Sequence, residues 1–259
     1  LGAQKSTEML KLQLNLIPRE LDINLNTGNS SAIKAAFYSA AFILQRVTAD
    51  ILDIEPREIE ISELKHSDGI PYLFLSDAAQ NGSGFVNYLY QNFNEILDII
   101  LTGEHSFIKA IITHRNNCNT SCQKCLNSYD NAGYHHVLDW RLGIGLLRLM
   151  KNANFTFGLN DNILDYFELN DLFSLINQVS DTLEKVDVAL SSKPGIKMNY
   201  LEKSNGNSVI GNTITKHLVV HPLWNKQYIT INIPQLVGNH SFNDSNYINL
   251  FETLRVVKY

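Results

Sequence analysis

The chain has 259 residues, of which 44% are hydrophobic and 18% charged, a balance that supports a sizeable core in one large domain or two modest ones. Its formal net charge of −5 argues against a free-standing nucleic-acid binder, because basic side chains supply most of the affinity for phosphates. No apolar run approaches the roughly 20 residues that span a bilayer, so we expect no membrane segment, and the start at Leu1 instead of Met suggests a piece of a longer protein.

The first part of the chain predicts a small sheet and a long helix. Alternating apolar residues predict a strand in residues 7–16, and an Ala-rich stretch predicts a buried helix over residues 32–54 that ends before Pro56. Residues 57–64 alternate as a half-buried strand does, whereas residues 70–77 are almost continuously apolar, as in a central strand buried on both faces. The turn signal HSDG between them predicts a hairpin.

Three more helices are predicted further along the chain. Residues 85–101 form an amphipathic helical pattern after a loop that contains glycines. Residues 105–117 lead, as another helix, into a cluster of cysteines, and residues 136–152 after the cluster place leucines at helical spacing.

The pattern changes beyond the last of these helices. Residues 171–186 predict a helical stretch, and residues 217–224 and 228–234 predict strands. We therefore predict an α+β fold: a small mixed sheet with packed helices and a metal-binding knuckle in residues 1–155, followed by a smaller α+β region in residues 156–259.

All three cysteines lie within eight residues, as Cys118, Cys122 and Cys125 in the spacing C-x-x-x-C-x-x-C. Thiolates three and four residues apart can point at one centre, and a divalent ion neutralises their mutual repulsion. An odd number of crowded cysteines is no disulfide framework, so we expect a reducing cytoplasm. Zinc is the favoured interpretation, and three incidental thiols are the alternative.

A closed tetrahedral zinc site needs a fourth ligand. His114 lies four residues before Cys118, and His135 lies ten residues after Cys125, so that either imidazole could reach the metal. His136 would point elsewhere. Spacing alone gives His114 and His135 nearly equal weight.

The segment CNTSCQKCLNSYDNAGYHHVLDWRLGIGLL, residues 118–147, resembles the signature of the MrfA-like zinc-binding domain family. This domain occurs at the C-terminus of bacterial DEAD/DEAH-box helicases and in helicase-partner proteins of DISARM-type antiphage defence. One branch of the family has a fourth cysteine at the position of Asn131, and the other has a histidine at the position of His135. The resemblance therefore implies four ligands: Cys118, Cys122, Cys125 and His135. The remaining matches to the family pattern are Leu126, Ser128, Tyr129, Leu138 and Asp139.

The resemblance extends over residues 1–152, and it includes a strand, Asp77 and a Gly-rich turn with Gly82 and Gly84. It implies a non-catalytic accessory domain of a DNA helicase or helicase-like protein in DNA repair or phage defence. The implied partners are the helicase core, in the same or a partner chain, and DNA through local contacts. It implies no small-molecule substrate.

We expect the zinc to be structural. A catalytic zinc keeps one position open and has a carboxylate nearby to act as general base. No Glu lies within the cluster, and Ser121 takes the place of the proline that precedes a Cys-x-x-Cys pair in nucleobase deaminases.

Other patterns have a functional and a structural interpretation. NGSG, residues 81–84, could cradle a phosphate but more often forms a tight turn, and Asp77 could be catalytic or a helix cap. Trp140 and Arg141 could clamp the knuckle or face a partner. Glu63 and Lys65 have the E-x-K spacing of metal-dependent nucleases. A nuclease built on these two residues or on the C-terminal region, and a pure protein-interaction scaffold, are the rival hypotheses.

Overall fold

The structure, a computed structural model, describes residues 6–27, 29–170, 175, 200–204, 207–211, 216–232 and 247–249. The chain divides into two compact units. One consists of Leu1–Ile17 and Ile23–Ala153, and the other of Pro18–Asp22 and Asn154–Tyr259. The limits at residues 1–155 and 156–259 stay a sequence-based prediction.

The first unit combines a sheet with helices, which confirms the predicted α+β class. Its described strands are β1 (Met9–Gln13), β2 (Ile59–Ile61), β3 (Lys65–Ser67) and β4 (Ile70–Asp77). Its described α-helices are α1 (Ser30–Leu52), α2 (Phe85–Gln91), α3 (Phe93–Leu101), α4 (Ser106–His114) and α5 (Trp140–Lys151). Short 3-10 turns occupy Pro56–Glu58, Arg115–Asn117 and Ala132–Tyr134.

Strand β4 is the centre of the sheet. It pairs antiparallel with β1 on one side and with β2 and β3 on the other. The strand predicted over residues 57–64 does pair with β4, but the hairpin turn directly joins β3, which was not predicted, to β4. Leu73 and Leu75 are fully buried, but Tyr72 and Phe74 on the other face are only half-buried. The expectation that both faces are buried was therefore wrong, because aromatic side chains made a one-sided pattern look continuous.

Helices α1 and α5 pack together in the core next to residues 115–139, the cysteine-bearing loop that we call the metal-binding loop. They cross closely at Gly143, where a Cβ atom would lie 2.6 Å from the Cβ of Ser39. The hydroxyl of Ser39 accepts a 2.7 Å hydrogen bond from the backbone N–H of Asp139. Asp139 in turn caps α5 by accepting hydrogen bonds from the backbone N–H groups of Arg141 and Leu142.

The predicted helix over residues 85–101 is two helices, α2 and α3. They meet at Asn92, whose side-chain amide donates a 2.9 Å hydrogen bond to the carbonyl of Tyr88. An Asn that bonds its own backbone competes with the helical ladder, so the chain bends where the apolar pattern continues.

The second unit contains the described strands β5 (Tyr200–Ser204), β6 (Asn207–Gly211), β7 (Lys216–Val220) and β8 (Tyr247–Asn249) and the helix α6 (Lys226–Asn232). The strand order is β5-β6-β7-β8, with β7 and β8 parallel. Apart from Leu175, the predicted helical stretch of residues 171–186 lies outside the described residues.

The strand predicted over residues 228–234 was wrong. Residues 226–232 form α6, because Asn225 starts a helix there. Its side chain accepts a 3.0 Å hydrogen bond from the backbone N–H of Tyr228, and its carbonyl accepts one from Ile229. The helix cap at Asn225 thus outweighed the strand-favouring residues of the predicted strand. In the part of the chain that the structure describes, no helix is long and apolar enough to cross a membrane.

The close approach of α1 and α5 gives a stability prediction. Gly143→Ala would push a methyl group against Ser39 and the α1 backbone, so we expect a loss of about 1–3 kcal/mol in the free energy of unfolding. Urea denaturation followed by circular dichroism measures it. Gly133→Ala is the matched control, because a Cβ there meets no atom within 4 Å. Equal stability of the two variants would contradict the packing described here.

Candidate metal centre

Two short elements carry the cysteines to one point. Helix α4 ends at His114, a 3-10 turn follows, and Cys118 comes directly after it. The chain then turns back through a tight loop in which the N–H of Cys125 donates to the carbonyl of Cys122 at 3.0 Å. Cys118 and Cys125 are buried, and Cys122 is half-buried.

One ligand atom from each of His114, Cys118, Cys122 and Cys125 lies within 4.8 Å of the others. The Sγ atom of Cys125 is 3.8 Å from that of Cys118 and 3.9 Å from that of Cys122. The Nε2 atom of His114 is 3.3 Å from the Sγ atom of Cys122. Tetrahedral zinc with bonds of about 2.3 Å to sulfur and about 2.0 Å to nitrogen requires S–S separations of about 3.8 Å and N–S separations of about 3.5 Å. The four donors therefore fit zinc.

Neighbouring groups hold these donors in position. The Nδ1 atom of His114 lies 2.6 Å from the carbonyl of Ala110, which leaves Nε2 to face the cysteines. Metal-binding histidines usually donate their second ring N–H in this way. Backbone N–H groups of Cys122 and Lys124 donate to the sulfurs of Cys125 and Cys122, at 3.1 and 3.4 Å. Such contacts disperse the negative charge that thiolates bring.

The Cys125 thiol retains its proton without a metal. The hydrogen bond between Cys125 and Cys118 raises the pKa of Cys125 far above its ordinary value, and burial and the charge of Cys118 raise it further. A metal ion must displace this proton when it binds, because only the thiolate is a ligand. In the described residues no Asp or Glu joins the four donors. The arrangement therefore suits a closed structural site better than a catalytic one.

The structure places His135 outside the group of donors formed by His114 and the cysteines, so the ligand set implied by the resemblance stays a prediction. The Nε2 atom of His135 lies 2.9 Å from the carbonyl of Ser128 and 2.9 Å from the Oδ1 atom of Asn131. The 3-10 turn at Ala132–Tyr134 turns the histidine toward its own loop. His114, which spacing had left as an equal alternative, takes the fourth position in the cluster.

Asn131 is a structural residue in the same loop. Its side-chain amide donates a 2.7 Å hydrogen bond to the carbonyl of Leu126, and its Oδ1 atom accepts one from the N–H of Ser128 at 2.8 Å. Asn131 stands at the position where the resemblance implies a cysteine in one branch of the family. Here it holds the loop after Cys125 by hydrogen bonds to Leu126 and Ser128.

Arg141 clamps the metal-binding loop, which settles the choice that the sequence had left open. Its guanidinium donates hydrogen bonds to the carbonyls of Cys118, Asn119 and Arg115, at distances of 2.9, 3.1 and 3.0 Å. The residue is 2% exposed, and its guanidinium lies 4.2 Å from the ring centre of Trp140. The sequence signal was a basic residue two positions after an N-cap aspartate, where a solvated side chain is the ordinary expectation.

The NGSG turn does not leave room for a phosphate. The fully buried carboxylate of Asp77 accepts hydrogen bonds from four backbone N–H groups at the start of α2. They belong to Ser83, Gly84, Phe85 and Val86. Asp77 is therefore the cap that the sequence analysis favoured, and it fills the anion position itself.

Glu63 and Lys65 are both exposed, in the link between β2 and β3 and at the start of β3. A metal-dependent nuclease needs further acidic groups around the ion. Within the described residues, the cysteine cluster is the one group of three or more His, Cys, Asp or Glu side chains placed to share an ion. Nothing in that part of the chain therefore supports the nuclease hypothesis at Glu63.

A cleft of about 670 Å³ opens beside the metal-binding loop. It is lined by the basic residues Arg46, Arg57 and Lys124, the acidic residues Glu60 and Asp130, and several amide and aromatic side chains. Arg46 and Arg57 are ion-paired with Asp50 and Glu55. The cleft thus offers mixed polar contacts with a modest cationic component.

Residues 40–126 match the family model of the MrfA Zn-binding domain. This confirms the resemblance read from the cysteine segment. The match contains His114 and the three cysteines, and it ends before His135. It also includes the second half of α1, the sheet strands β2 to β4 and the Asp77 turn.

Among solved structures, the crystal structure of the DUF1998 helicase MrfA bound to DNA is similar over 55% of this chain and 17% of that chain, with 15% identity and a TM-score of 0.37. No curated protein matches the chain.

The buried Asp77 carboxylate gives the second prediction. Asp77→Ala leaves four N–H groups at the start of α2 without their acceptor, so we expect a loss of about 2–4 kcal/mol in the free energy of unfolding. Asp98→Ala, which removes an exposed ion pair with Lys151, should cost less than about 1 kcal/mol. Urea denaturation compares the two. A rise in the melting temperature of the unaltered protein with added inorganic phosphate would contradict the assignment of Asp77 as the resident anion.

Proposed function

We propose that this chain is the accessory zinc-binding part of a DNA helicase or helicase-like protein, and that a structural zinc site stabilises the metal-binding loop. The observation that carries the proposal is the convergence of His114, Cys118, Cys122 and Cys125 within a region that matches the MrfA Zn-binding domain. Helicase activity would belong to the parent protein, and this chain would contribute no catalytic group.

In this proposal, zinc is held by the Sγ atoms of the three cysteines and the Nε2 atom of His114. The metal supplies folding energy, because it joins the end of α4 to a loop that has little regular structure. Four protein ligands fill a tetrahedral shell, so no position is left for a substrate or an activated water. In this proposal, the zinc site stabilises a binding surface and takes no part in a reaction.

The helicase core, in the same chain or in a partner chain, is the partner that we propose. The role is to brace the motor and to contact DNA that leaves it, in DNA repair or phage defence in the bacterial cytoplasm. The family match to residues 40–126 supports the helicase association. The net charge of −5 requires that any DNA contact is local.

The cleft beside the metal-binding loop is the surface that we propose for this contact. Arg57 and Lys124 lie in its lining, and the loop that carries Lys124 also carries Cys122 and Cys125. A metal-held loop presents such side chains in a fixed arrangement, which lowers the entropy lost on binding. Acidic Glu60 and Asp130 in the same lining limit the attraction for phosphates, so a protein partner is the other occupant to test.

The zinc site predicts unequal roles for two histidines. His114→Ala should weaken zinc binding about tenfold or more, because it removes a ligand. His135→Ala should keep one equivalent of zinc, since the Nε2 atom of His135 lies against Ser128 and Asn131 and outside the cluster. Metal analysis of the purified proteins and competition with a chromophoric chelator measure both. His136→Ala is the control, because that side chain is exposed and outside the cluster.

Two results would contradict this assignment. Less than about half an equivalent of zinc in the folded, unaltered protein would remove the site itself. Loss of zinc from the His135→Ala protein but not from the His114→Ala protein would restore the ligand set of the family resemblance.

The cleft predicts salt-sensitive contact with DNA. A fluorescent single-stranded oligonucleotide should bind weakly, and Arg57→Glu with Lys124→Glu should reduce the affinity at low salt by about tenfold. Lys11→Glu with Lys34→Glu is the charge-matched control, because both lysines are exposed and neither lines the cleft. Equal effects of both variants, or binding without salt dependence, would favour the protein-interaction scaffold. Magnesium-dependent cleavage that Glu63→Ala abolishes would instead revive the nuclease.

A further inference from the structure

We propose that Arg141 is a positioning residue of the zinc site, which sets the metal affinity without touching the metal. Its guanidinium holds the backbone on both sides of the first cysteine and offsets the charge of the metal with its ligands. This inference rests on the proposed structural zinc site, and it adds a group from outside the cysteine loop that the family match, which ends at residue 126, does not include.

The hydrogen bonds of Arg141 join two parts of the ligand-bearing chain. One nitrogen, Nη2, donates to the carbonyl of Arg115, the residue directly after His114. The other, Nη1, donates to the carbonyls of Cys118 and Asn119. One rigid planar group thus fixes the backbone next to His114 relative to the backbone of Cys118. A lysine has a single ammonium and cannot reproduce this fork.

Charge gives Arg141 a second effect. Zinc with three thiolates and a neutral imidazole carries a formal charge of −1, since two positive charges meet three negative ones. A guanidinium that is 2% exposed costs solvation free energy unless nearby groups compensate it. The carbonyls of the loop and the face of Trp140 supply part of that compensation. The anionic metal centre on the same loop supplies more, so the metal and Arg141 stabilise each other.

The position of Arg141 also connects the metal to the core. The residue lies in the first turn of α5, two positions after the Asp139 cap, whose backbone N–H donates to Ser39 of α1. Zinc binding therefore tightens a contact between the loop and α5, and linkage requires the reverse effect of equal size.

Three variants test this role. Arg141→Met keeps the length but removes the charge and the fork, Arg141→Lys keeps the charge alone, and Arg148→Met removes an arginine two turns further along the same helix. Zinc affinity is measured by chelator competition, and the melting temperature is measured with and without zinc. Cobalt, substituted for zinc, reports ligand geometry through its visible absorption.

We expect Arg141→Met to weaken zinc binding by about 10- to 100-fold, as loss of an outer partner does at other sites. Arg141→Lys should lie between this variant and the unaltered protein, and Arg148→Met should bind within about twofold of the latter. The melting-temperature gain from zinc should shrink in the Arg141→Met protein, and its cobalt spectrum should depart from the tetrahedral form.

An unchanged zinc affinity in Arg141→Met, with melting temperatures lowered equally with and without zinc, would overturn the inference and leave Arg141 as a fold residue only. If the Arg141→Met protein does not fold, the Arg141→Lys protein provides the test. A zinc affinity equal to that of the unaltered protein would then overturn the inference. Absence of zinc from the unaltered protein would instead defeat the proposed site itself, so the two failures are distinct.

Discussion

The first unit depends on the meeting of three thiols and one imidazole at a single point. The Sγ atom of Cys125 lies 3.8 and 3.9 Å from the other two sulfurs, which is short for ionised sulfurs, since these repel one another, and suits a shared divalent ion. Without the ion, the Cys125 thiol retains its proton, because its hydrogen bond to Cys118 and its burial favour the neutral form. The conformation of the loop and the protonation of its cysteines are therefore one equilibrium, which a metal ion shifts.

Helix α5 connects the metal-binding loop to the core. Asp139 begins the helix and bonds Ser39, Arg141 reaches back to the loop, and Gly143 lets the helix lie against α1. These three residues lie at every second position. The start of α5 therefore bonds Ser39, holds the metal-binding loop and packs against α1 within five residues. A shift of the first turn of α5 would change all three contacts together.

The sequence predicted the parts of this arrangement that depend on local pattern. The cysteine spacing, the α1 and β4 segments and the Asp77 cap follow from periodicity and from the preference of thiolates for metals. The fourth ligand did not follow, since His114 and His135 are both within reach of the cysteines. The direction of each imidazole distinguishes the two: His114 ends a helix that points it at Cys122, whereas His135 faces Ser128 and Asn131. Arg141 was equally undecided, because only the folded chain shows that it reaches Arg115 and Cys118.

The composition of the loop explains why a metal is needed there. Between Arg115 and Asp139 the described chain has two 3-10 turns, at Arg115–Asn117 and Ala132–Tyr134, and no strand or α-helix. Its buried apolar side chains are Cys118, Cys125, Leu126 and Leu138. Four such residues cannot offset the conformational entropy of about 1–2 kcal/mol for each ordered backbone unit. The missing stabilisation must come from polar bonds and from the metal, so a zinc ion here has structural work that a catalytic ion in a preformed pocket does not have.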